Sequence, residues 1–439
     1  QIRAALRRLE QATGRTFGDP ANPLLLSVRS GSAVSQPGMM DTLLDVGNNE
    51  EITVAVAART GNAWFAWDNY RRFLQSWGMA HDLSRDEFDA IIRDTKQRSG
   101  LPLKRLFSGE QMRLVALAYR QLIREAGIPV VDSPFEQLLL ALRRVLHSWE
   151  SPRAQAYRRI MGISDDWGTA VAVQAMVYGN RSAASGTGVV FTHNPRWSGE
   201  VLRLWGDFTT TNQGEDVVSG LVRTMPVSLA QQEVEMRDTD VTLETHFPGI
   251  YRELTRWART LIEEHGWSPQ EIEFTFEGPD PGDLYMLQTR DMAIRESPRA
   301  LRFDPQALPP GALLGHGIGV SGGAMSGRLV FSLEEIAGWR LREPTTRLIL
   351  ARTDTVPDDI REIHAADGLL TARGGLTSHA AVVAHRLGKT CVVACADLTC
   401  DEREGACTFG AAALRSGERI SIDGREGSVY RGEIRVLPE

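Results

Sequence analysis

The chain has 439 residues, too many for one hydrophobic core, and a typical domain size divides it into about three structural units. Its 42% hydrophobic and 24% charged residues are an ordinary globular balance, and no stretch approaches the ~20 consecutive apolar residues of a membrane span. A net charge of −7 removes any general electrostatic reason to bind nucleic acid or an anionic membrane, which leaves small molecules or proteins as partners.

The opening stretch QIRAALRRLEQATG reads as an amphipathic helix without the charged-then-apolar plan of a secretory signal, so the cytoplasm is the expected compartment. It starts at Gln1, not at a methionine, which suggests a piece of a longer product. Next, LLLSVRSG predicts an apolar strand that ends in Arg29, Ser30 and Gly31, a forked cation beside two small residues, suited to phosphate. From about residue 68 to 159, apolar residues recur at spacings of three and four in NYRRFLQSW, RDEFDAIIRDTKQR, QMRLVALAYRQLIREAG and FEQLLLALRRVLHSWE, which predicts a helical insert between sheet segments. The fold class is therefore α/β or α+β.

Between the predicted strands VAVQAMVYG and GVVFT, the segment SAASGTG predicts a glycine-containing loop over Ser185, Gly186, Thr187 and Gly188. Its backbone N–H groups could approach a polyphosphate closely, or it could be a plain hairpin tip. In IEFTFEGPDPGDLYMLQTR, period-two alternation puts Ile272, Phe274 and Phe276 on one face and Glu271, Glu273 and Thr275 on the other, with Leu284, Met286, Gln288 and Arg290 sharing a face of the second strand. This hairpin reads equally as a solvated one and as a site where Glu273 and Gln288 offer oxygen ligands to Mg²⁺ and Arg290 meets phosphate. Residues 296–311, rich in proline and charge, read as a linker between a domain at 1–295 and a smaller one at 312–439.

In the second domain Gly317, Gly319 and Gly322 match a dinucleotide pattern, but no helix pattern follows, so a turn-rich loop is expected. A P-loop motif is missing from the sequence altogether. Cys391, Cys395, Cys400 and Cys407 lack paired Cys-x-x-Cys spacing and read as reduced thiols, with CVVAC a buried strand. In GGLTSHAAVVAHRLG, Ser378 or Thr377 is the natural N-cap and Gly388 the stop of a helix whose first turn holds His379. The helix dipole would stabilise a phosphoryl group there and disfavour imidazolium; a capping histidine without chemistry is the alternative. His385, six positions on, faces elsewhere on the helix, which argues against a metal pair.

Together SVRSGSAVSQPGMMDTLLDVGNNE, GTAVAVQAMVYGN, SGTGVVFTHNP, NQGEDVVSG, IEFTF, LYMLQTR and HAADGLLTARGGLTSHAAVVAHRLGKTCVV resemble the pyruvate phosphate dikinase family, in its order and over nearly the whole chain. The resemblance implies an ATP-grasp-like nucleotide domain with a helical insert and a smaller swivelling phosphohistidine domain. It implies that Arg29 and Arg290 bind ATP phosphates, Met176 and Val177 lie against adenine, Glu215 and Asp216 sit near ribose or metal, and Glu273 and Gln288 hold Mg²⁺. His379 would carry the phosphoryl group, assisted by Thr377 and the Gly374-Gly375 turn, with Arg290 also catalytic. The implied reaction is ATP plus phosphate giving AMP, pyrophosphate and phosphohistidine, with pyruvate or another small molecule on a further domain or chain as final acceptor.

The family also implies a lysine-bearing glycine loop before Gln1 and a pyruvate-binding barrel after residue 439, so the chain by itself is not expected to make phosphoenolpyruvate. The family's Ala-Ser-Pro-Gly loop is Val320-Ser321-Gly322-Gly323 here, and its arginine before Asn-Pro is His193. A nucleotide-binding regulatory protein without turnover, one chain of a split enzyme, and a phosphocarrier charged by another kinase are the competing readings.

Overall fold

The computed structural model describes residues 1–31, 36, 38–195, 201–218, 222, 224–292 and 301–438. They fall into two units, Gln1–Val177 and Tyr178–Glu439. In the first, α1 (Ile2–Thr13) ends at Gly14, and a short parallel pair, β1 (Thr16–Phe17) and β2 (Pro23–Leu24), follows. β3 (Leu26–Gly31) is the middle strand of an antiparallel sheet, between β4 (Thr42–Val46) and β5 (Ala170–Ala175). All the helices of the insert come between β4 and β5: α2 (Glu50–Thr60), α3 (Ala63–Ala80), α4 (Arg85–Ser99), α5 (Gly109–Glu125), α6 (Pro134–His147) and α7 (Pro152–Met161). The helices thus begin at Glu50, earlier than periodicity suggested, because α2 is set by its ends: Asn49 accepts the Ile52 N–H, and Gly61 closes the helix.

The second unit contains two large sheets. β6 (Gly186–Phe191), β7 (Trp205–Thr210), β8 (Met225–Pro226), β9 (Gln270–Phe276) and β10 (Leu284–Asp291) form an antiparallel sheet in the order β10-β9-β6-β7-β8. Helices α8 (Gly214–Val218), α9 (Leu229–Val234), α10 (Leu243–His246) and α11 (Pro248–Arg259) accompany it. Ile250, Leu254 and Ala258, spaced at four along α11, bury one face of the sheet through Val190, Phe208, Ile272, Phe274 and Phe276.

The remaining strands are β11 (Leu301–Phe303), β12 (Leu313–His316), β13 (Ile318–Ser321), β14 (Ala324–Val330), β15 (Leu348–Arg352), β16 (Gly368–Thr371), β17 (Thr390–Val393), β18 (Leu398–Asp401), β19 (Ala406–Phe409), β20 (Ala412–Arg415), β21 (Arg419–Asp423), β22 (Ser428–Arg431) and β23 (Val436–Pro438), with helices α12 (Leu333–Arg342), α13 (Ile360–Ala365) and α14 (His379–Leu387). Eight of these strands make one sheet, ordered β12-β22-β21-β14-β15-β16-β17-β13, in which β14 to β17 run parallel.

The mixed α/β class is as expected, but several local readings need correction. Gly186, Thr187 and Gly188 lie inside the central strand β6, not in a loop, and the turn ends at Ser185. The two glycines are required because a Cβ at 186 would come within 2.6 Å of the Phe276 ring, and one at 188 within 2.8 Å of the Phe274 ring. Met176 and Val177 follow β5 instead of belonging to it, although Met176 N still donates to Leu25 O.

Gly317 and Gly319 lie between and within β12 and β13, and no helix follows, so strands replace the expected loop while the dinucleotide reading stays excluded. Of the expected linker, 296–300 lie outside the described residues. Leu301–Phe303 is a strand paired with β23, because Phe303 is apolar enough to bury against Ala324 and Ile434. Cys391 and Cys395 are buried as read, with Cys391 on β17 and Cys395 just past its end, and all four cysteines are free thiols.

The helical insert encloses a charge. Trp67, Tyr70, Phe73, Leu74 and Trp77 form the apolar stripe of α3, yet Asp68 beside them has 0% exposure. Its carboxylate accepts from Arg71 Nε at 2.9 Å, Arg72 Nε at 2.9 Å and Lys104 Nζ at 3.2 Å. Burial alone would raise this carboxyl, but the charges of Arg71, Arg72 and Lys104 outweigh it and hold Asp68 well below the usual carboxylate range. The group therefore contributes stability that is fully present above its unfolded value of about 3.9 and is lost as pH falls through the lower folded value. Asp68→Asn leaves two buried guanidinium groups without their carboxylate and is expected to cost about 3–5 kcal/mol in urea unfolding. The variant's unfolding free energy should also fall less than the parent's between pH 5 and pH 3.

Candidate functional site

The five-stranded sheet has one oily face and one polar face, and pairing register decides which residues go where. Residues directly opposite across an antiparallel ladder share a face. Phe274 and Phe276 oppose Met286 and Leu284, all on the apolar side. A bulge between Met286 and Gln288 then shifts the register by one residue. It turns Gln288 and Arg290 to the other face, opposite Glu273 and Glu271. The expectation that Leu284, Met286, Gln288 and Arg290 share a face is thus wrong, while the pairing of Glu273 with Gln288 and Arg290 is right. Uninterrupted alternation could not have placed both Leu284 in the core and Gln288 beside Glu273.

Arg290 forms an ion pair with Glu271 and lies 4.0 Å from Glu273 Oε1. The same polar face continues across β6 and β7 as Thr187, Val189, Thr209 and Asp207. Thr187 Oγ1 donates to Phe274 O at 3.0 Å and lies 2.9 Å from Thr275 Oγ1. Its side chain is therefore occupied in joining strands. Ser185 Oγ is similarly engaged, accepting from Ser182 N and donating to Gly179 O. On α8, Asp216 is buried and its Oδ2 accepts the Gln213 N–H at 3.1 Å, while Glu215 is exposed. His193 is buried, its Nδ1 is 2.9 Å from Thr192 Oγ1, and burial lowers its pKa. Arg29, Met176 and Val177 belong to the first unit and the other expected site residues to the second.

His379 opens α14, which connects β16 to its parallel neighbour β17. The loop before it therefore leaves the carboxyl end of β16, the edge where open parallel sheets place their ligands. Ser378, not Thr377, is the N-cap, with Oγ 3.4 Å from Ala381 N, and Ser378 Oγ also donates to Gly375 O at 2.8 Å. The carboxyl end of the adjacent strand β15 leads into Thr355, whose Oγ1 lies 3.3 Å from His379 Nδ1.

The imidazole is 5% exposed, and burial lowers its pKa to about 4. Its Nε2 and the hydroxyl of buried Thr377 have no hydrogen-bond partner among the described residues. Two buried polar atoms without partners beside a helix start are costly unless something else completes them. Sequence reasoning missed Thr355, Glu271 and Asp207. Glu271 was visible as the alternation partner of Glu273, whereas Thr355 needed the order of the parallel strands.

Two family models cover most of the chain. Residues 1–302 match the pyruvate phosphate dikinase AMP/ATP-binding domain, and residues 344–427 match the mobile domain of PEP-utilising enzymes. Among curated proteins, the pyruvate, phosphate dikinase of Rhizobium meliloti is 39% identical over 100% of this chain and 51% of its own length. That of Clostridium symbiosum is 36% identical over 99% and 51%, and the chloroplastic enzyme 1 of Arabidopsis thaliana 37% over 100% and 47%. The chain thus spans about half the length of the relatives it matches. No helix among the described residues is long and apolar enough to cross a membrane. The polar sheet face and the histidine-led helix are the parts of a nucleotide-binding domain and a mobile domain, and the chain belongs to the pyruvate phosphate dikinase family.

Proposed function

We propose that this chain carries out the nucleotide half of a dikinase reaction: an ATP-dependent, AMP-forming phosphorylation of its own His379. The observation that carries the reading is the buried, unpartnered Nε2 of His379 beside the unpartnered Thr377 hydroxyl at the start of α14. A nitrogen that attacks phosphorus must keep its lone pair, so the ring proton sits on Nδ1 and is donated to Thr355 Oγ1. Nε2 attacks the β-phosphorus of ATP, the bond from that phosphorus to the oxygen bridging to the α-phosphate breaks, and AMP leaves. Inorganic phosphate then takes the γ-phosphoryl group as pyrophosphate, and the β-phosphoryl group stays on the ring. The Thr377 hydroxyl and the helix-start N–H groups hold phosphoryl oxygens. Arg290 meets the phosphates, and Glu215 and Asp216 lie toward ribose or metal.

Glu273 and Gln288, opposite one another across the β9–β10 ladder, are hard oxygen donors of the kind Mg²⁺ takes. Among the described residues no group of three or more His, Cys, Asp or Glu could hold a metal without help. A Mg²⁺ ion held by Glu273 and Gln288 would complete its shell with water and phosphate oxygens, where its charge would offset that of the phosphates. The relatives' name pairs pyruvate with phosphate, and we extend pyruvate to this chain as the final acceptor, bound on a further domain.

Labelling tests the reading. With ATP labelled separately at the β and γ positions, Mg²⁺ and phosphate, the full polypeptide should acquire acid-labile β label and release AMP, and His379→Ala should abolish the label. Nucleotide binding without protein label would refute the proposal. The ring should titrate at about 4 in a pH series followed by nuclear magnetic resonance. As a base depressed on folding, His379 contributes stability that is fully present above about 6.5 and is lost as pH falls toward the folded value. The rate of labelling should accordingly show no inflection from this ring between pH 6 and 8.

A further inference from the structure

The contact between Thr355 and His379 depends on a loop, because β15 ends at Arg352 and α13 begins only at Ile360. Thr355 Oγ1 lies 3.3 Å from His379 Nδ1, a long hydrogen bond that a drift of ~0.3 Å would take out of range. The loop is pinned on both sides of Thr355. Thr353 N donates to Glu402 Oε1 at 3.0 Å, and Val356 N donates to Asp359 Oδ2 at 2.8 Å.

Both acceptors turn their other oxygen to one guanidinium. Arg352 Nε lies 3.6 Å from Asp359 Oδ1, and Arg352 Nη1 lies 3.6 Å from Glu402 Oε2. Nη1 also donates to the carbonyl of Phe331, just past β14, the parallel neighbour of β15. The three charged groups come from separate places in the chain: the end of β15, the residue before α13, and the turn between β18 and β19. Arg352 is only 7% exposed, so its charge needs partners, and the guanidinium fork lets one cation serve two carboxylates and a carbonyl. Burial, with the charges of Glu362 and Glu402 adding to it, pushes the Asp359 carboxyl up to about 6 against the Val356 N–H and Arg352, which leaves it largely ionised at neutral pH.

We infer that Arg352, Asp359 and Glu402 are positioning residues for the transfer. They fix the segment from Thr353 to Val356 so that Thr355 Oγ1 accepts the Nδ1 proton and the lone pair stays on Nε2, the nitrogen that attacks phosphorus. Their role presupposes the proposed phosphorylation of His379. A neutral imidazole can carry its proton on either nitrogen, and the hydrogen bond made by one decides the state of the other. Where Thr355 drifts away, the proton is free to move to Nε2, and a ring in that tautomer has no lone pair there to attack with. Carboxylates suit the task because their hydrogen bonds to peptide N–H groups are charge-assisted and act on the backbone, whatever the side chains at 353 and 356.

Two variants loosen the frame from different sides. Glu402→Ala removes one acceptor, and because that side chain is 38% exposed the fold should tolerate its loss. Arg352→Lys keeps the charge but loses the fork. In the full polypeptide, each should slow single-turnover β labelling of His379 roughly 5- to 10-fold, toward the lower end of what a charge-assisted hydrogen bond contributes, while nucleotide affinity by equilibrium dialysis stays within about twofold. Glu402→Gln retains an oxygen for the Thr353 N–H and should recover most of the rate. Thr355→Val removes the hydroxyl itself, so adding Glu402→Ala to it should slow labelling no further.

Nitrogen magnetic resonance of the His379 ring at neutral pH provides a readout that needs no turnover. The parent should hold its proton on Nδ1, and Glu402→Ala and Arg352→Lys should each move a share of it to Nε2. An unchanged tautomer in both variants, labelling at the parent rate, or losses that multiply in the Thr355→Val background would overturn the positioning role. If the tautomer responds while the parent chain takes no label at all, the frame still governs the ring, but its role in transfer and the phosphohistidine reading both fall.

Discussion

Opposed residues of an antiparallel ladder must point the same way, and that constraint decides where every charged group of the five-stranded sheet can go. α11 takes the apolar face, and Glu271, Glu273, Arg290 and Asp207 lie on the other. There they fall into rows: Gln288, Glu273, Val189 and Asp207 in one, Arg290, Glu271, Phe191 and Trp205 in the next. The bulge between Met286 and Gln288 is what makes the arrangement possible, because it lets β10 contribute Leu284 to the core and still turn Gln288 and Arg290 to the polar side. One extra residue in one strand thus gives the hairpin a core edge and a polar edge, with Gln288 and Arg290 beside Glu273 and Glu271.

A second constraint acts through strand direction. β15 and β16 are parallel neighbours, so the segments leaving their carboxyl ends emerge side by side. Thr355 comes from one and His379 from the other, and their contact follows from topology, not from sequence proximity. The hydroxyl is an apt partner. A carboxylate in its place would stabilise imidazolium and raise the pKa, whereas Thr355 brings no charge and leaves burial as the cause of the lowered value.

Much of this was legible before the structure. The capping residues around His379, the alternation in β9 and the helical spacing of α3 to α6 are local signals, and they gave the right elements. Signals that depend on a neighbour in space were misread. Gly186 and Gly188 look like a phosphate loop until the Phe276 and Phe274 rings are seen across them. The bulge leaves no mark in LYMLQTR, because each half alternates correctly by itself. α2 was missed because its helical nature is written in Asn49 and Gly61 and not in an apolar stripe. The contact of Asp207 Oδ2 with the Leu376 backbone N–H was beyond reach, since the two residues lie 169 apart in the chain.

The same burial that shapes the histidine site explains why a histidine occupies it. Burial opposes whichever protonation state is charged. For a thiol the reactive state is the anion, and in this chain burial pushes Cys395 and Cys407 up to about 12, which leaves them inert. For an amine the reactive state is neutral, but a lysine starts from about 10.4 and would need a shift of several units to free its lone pair at neutral pH. Imidazole starts near neutrality, so even modest desolvation delivers it wholly to the nucleophilic form, and here desolvation takes it to about 4. Burial that would silence the other nucleophilic side chains leaves this imidazole neutral with its Nε2 lone pair free, as the proposed phosphorylation requires.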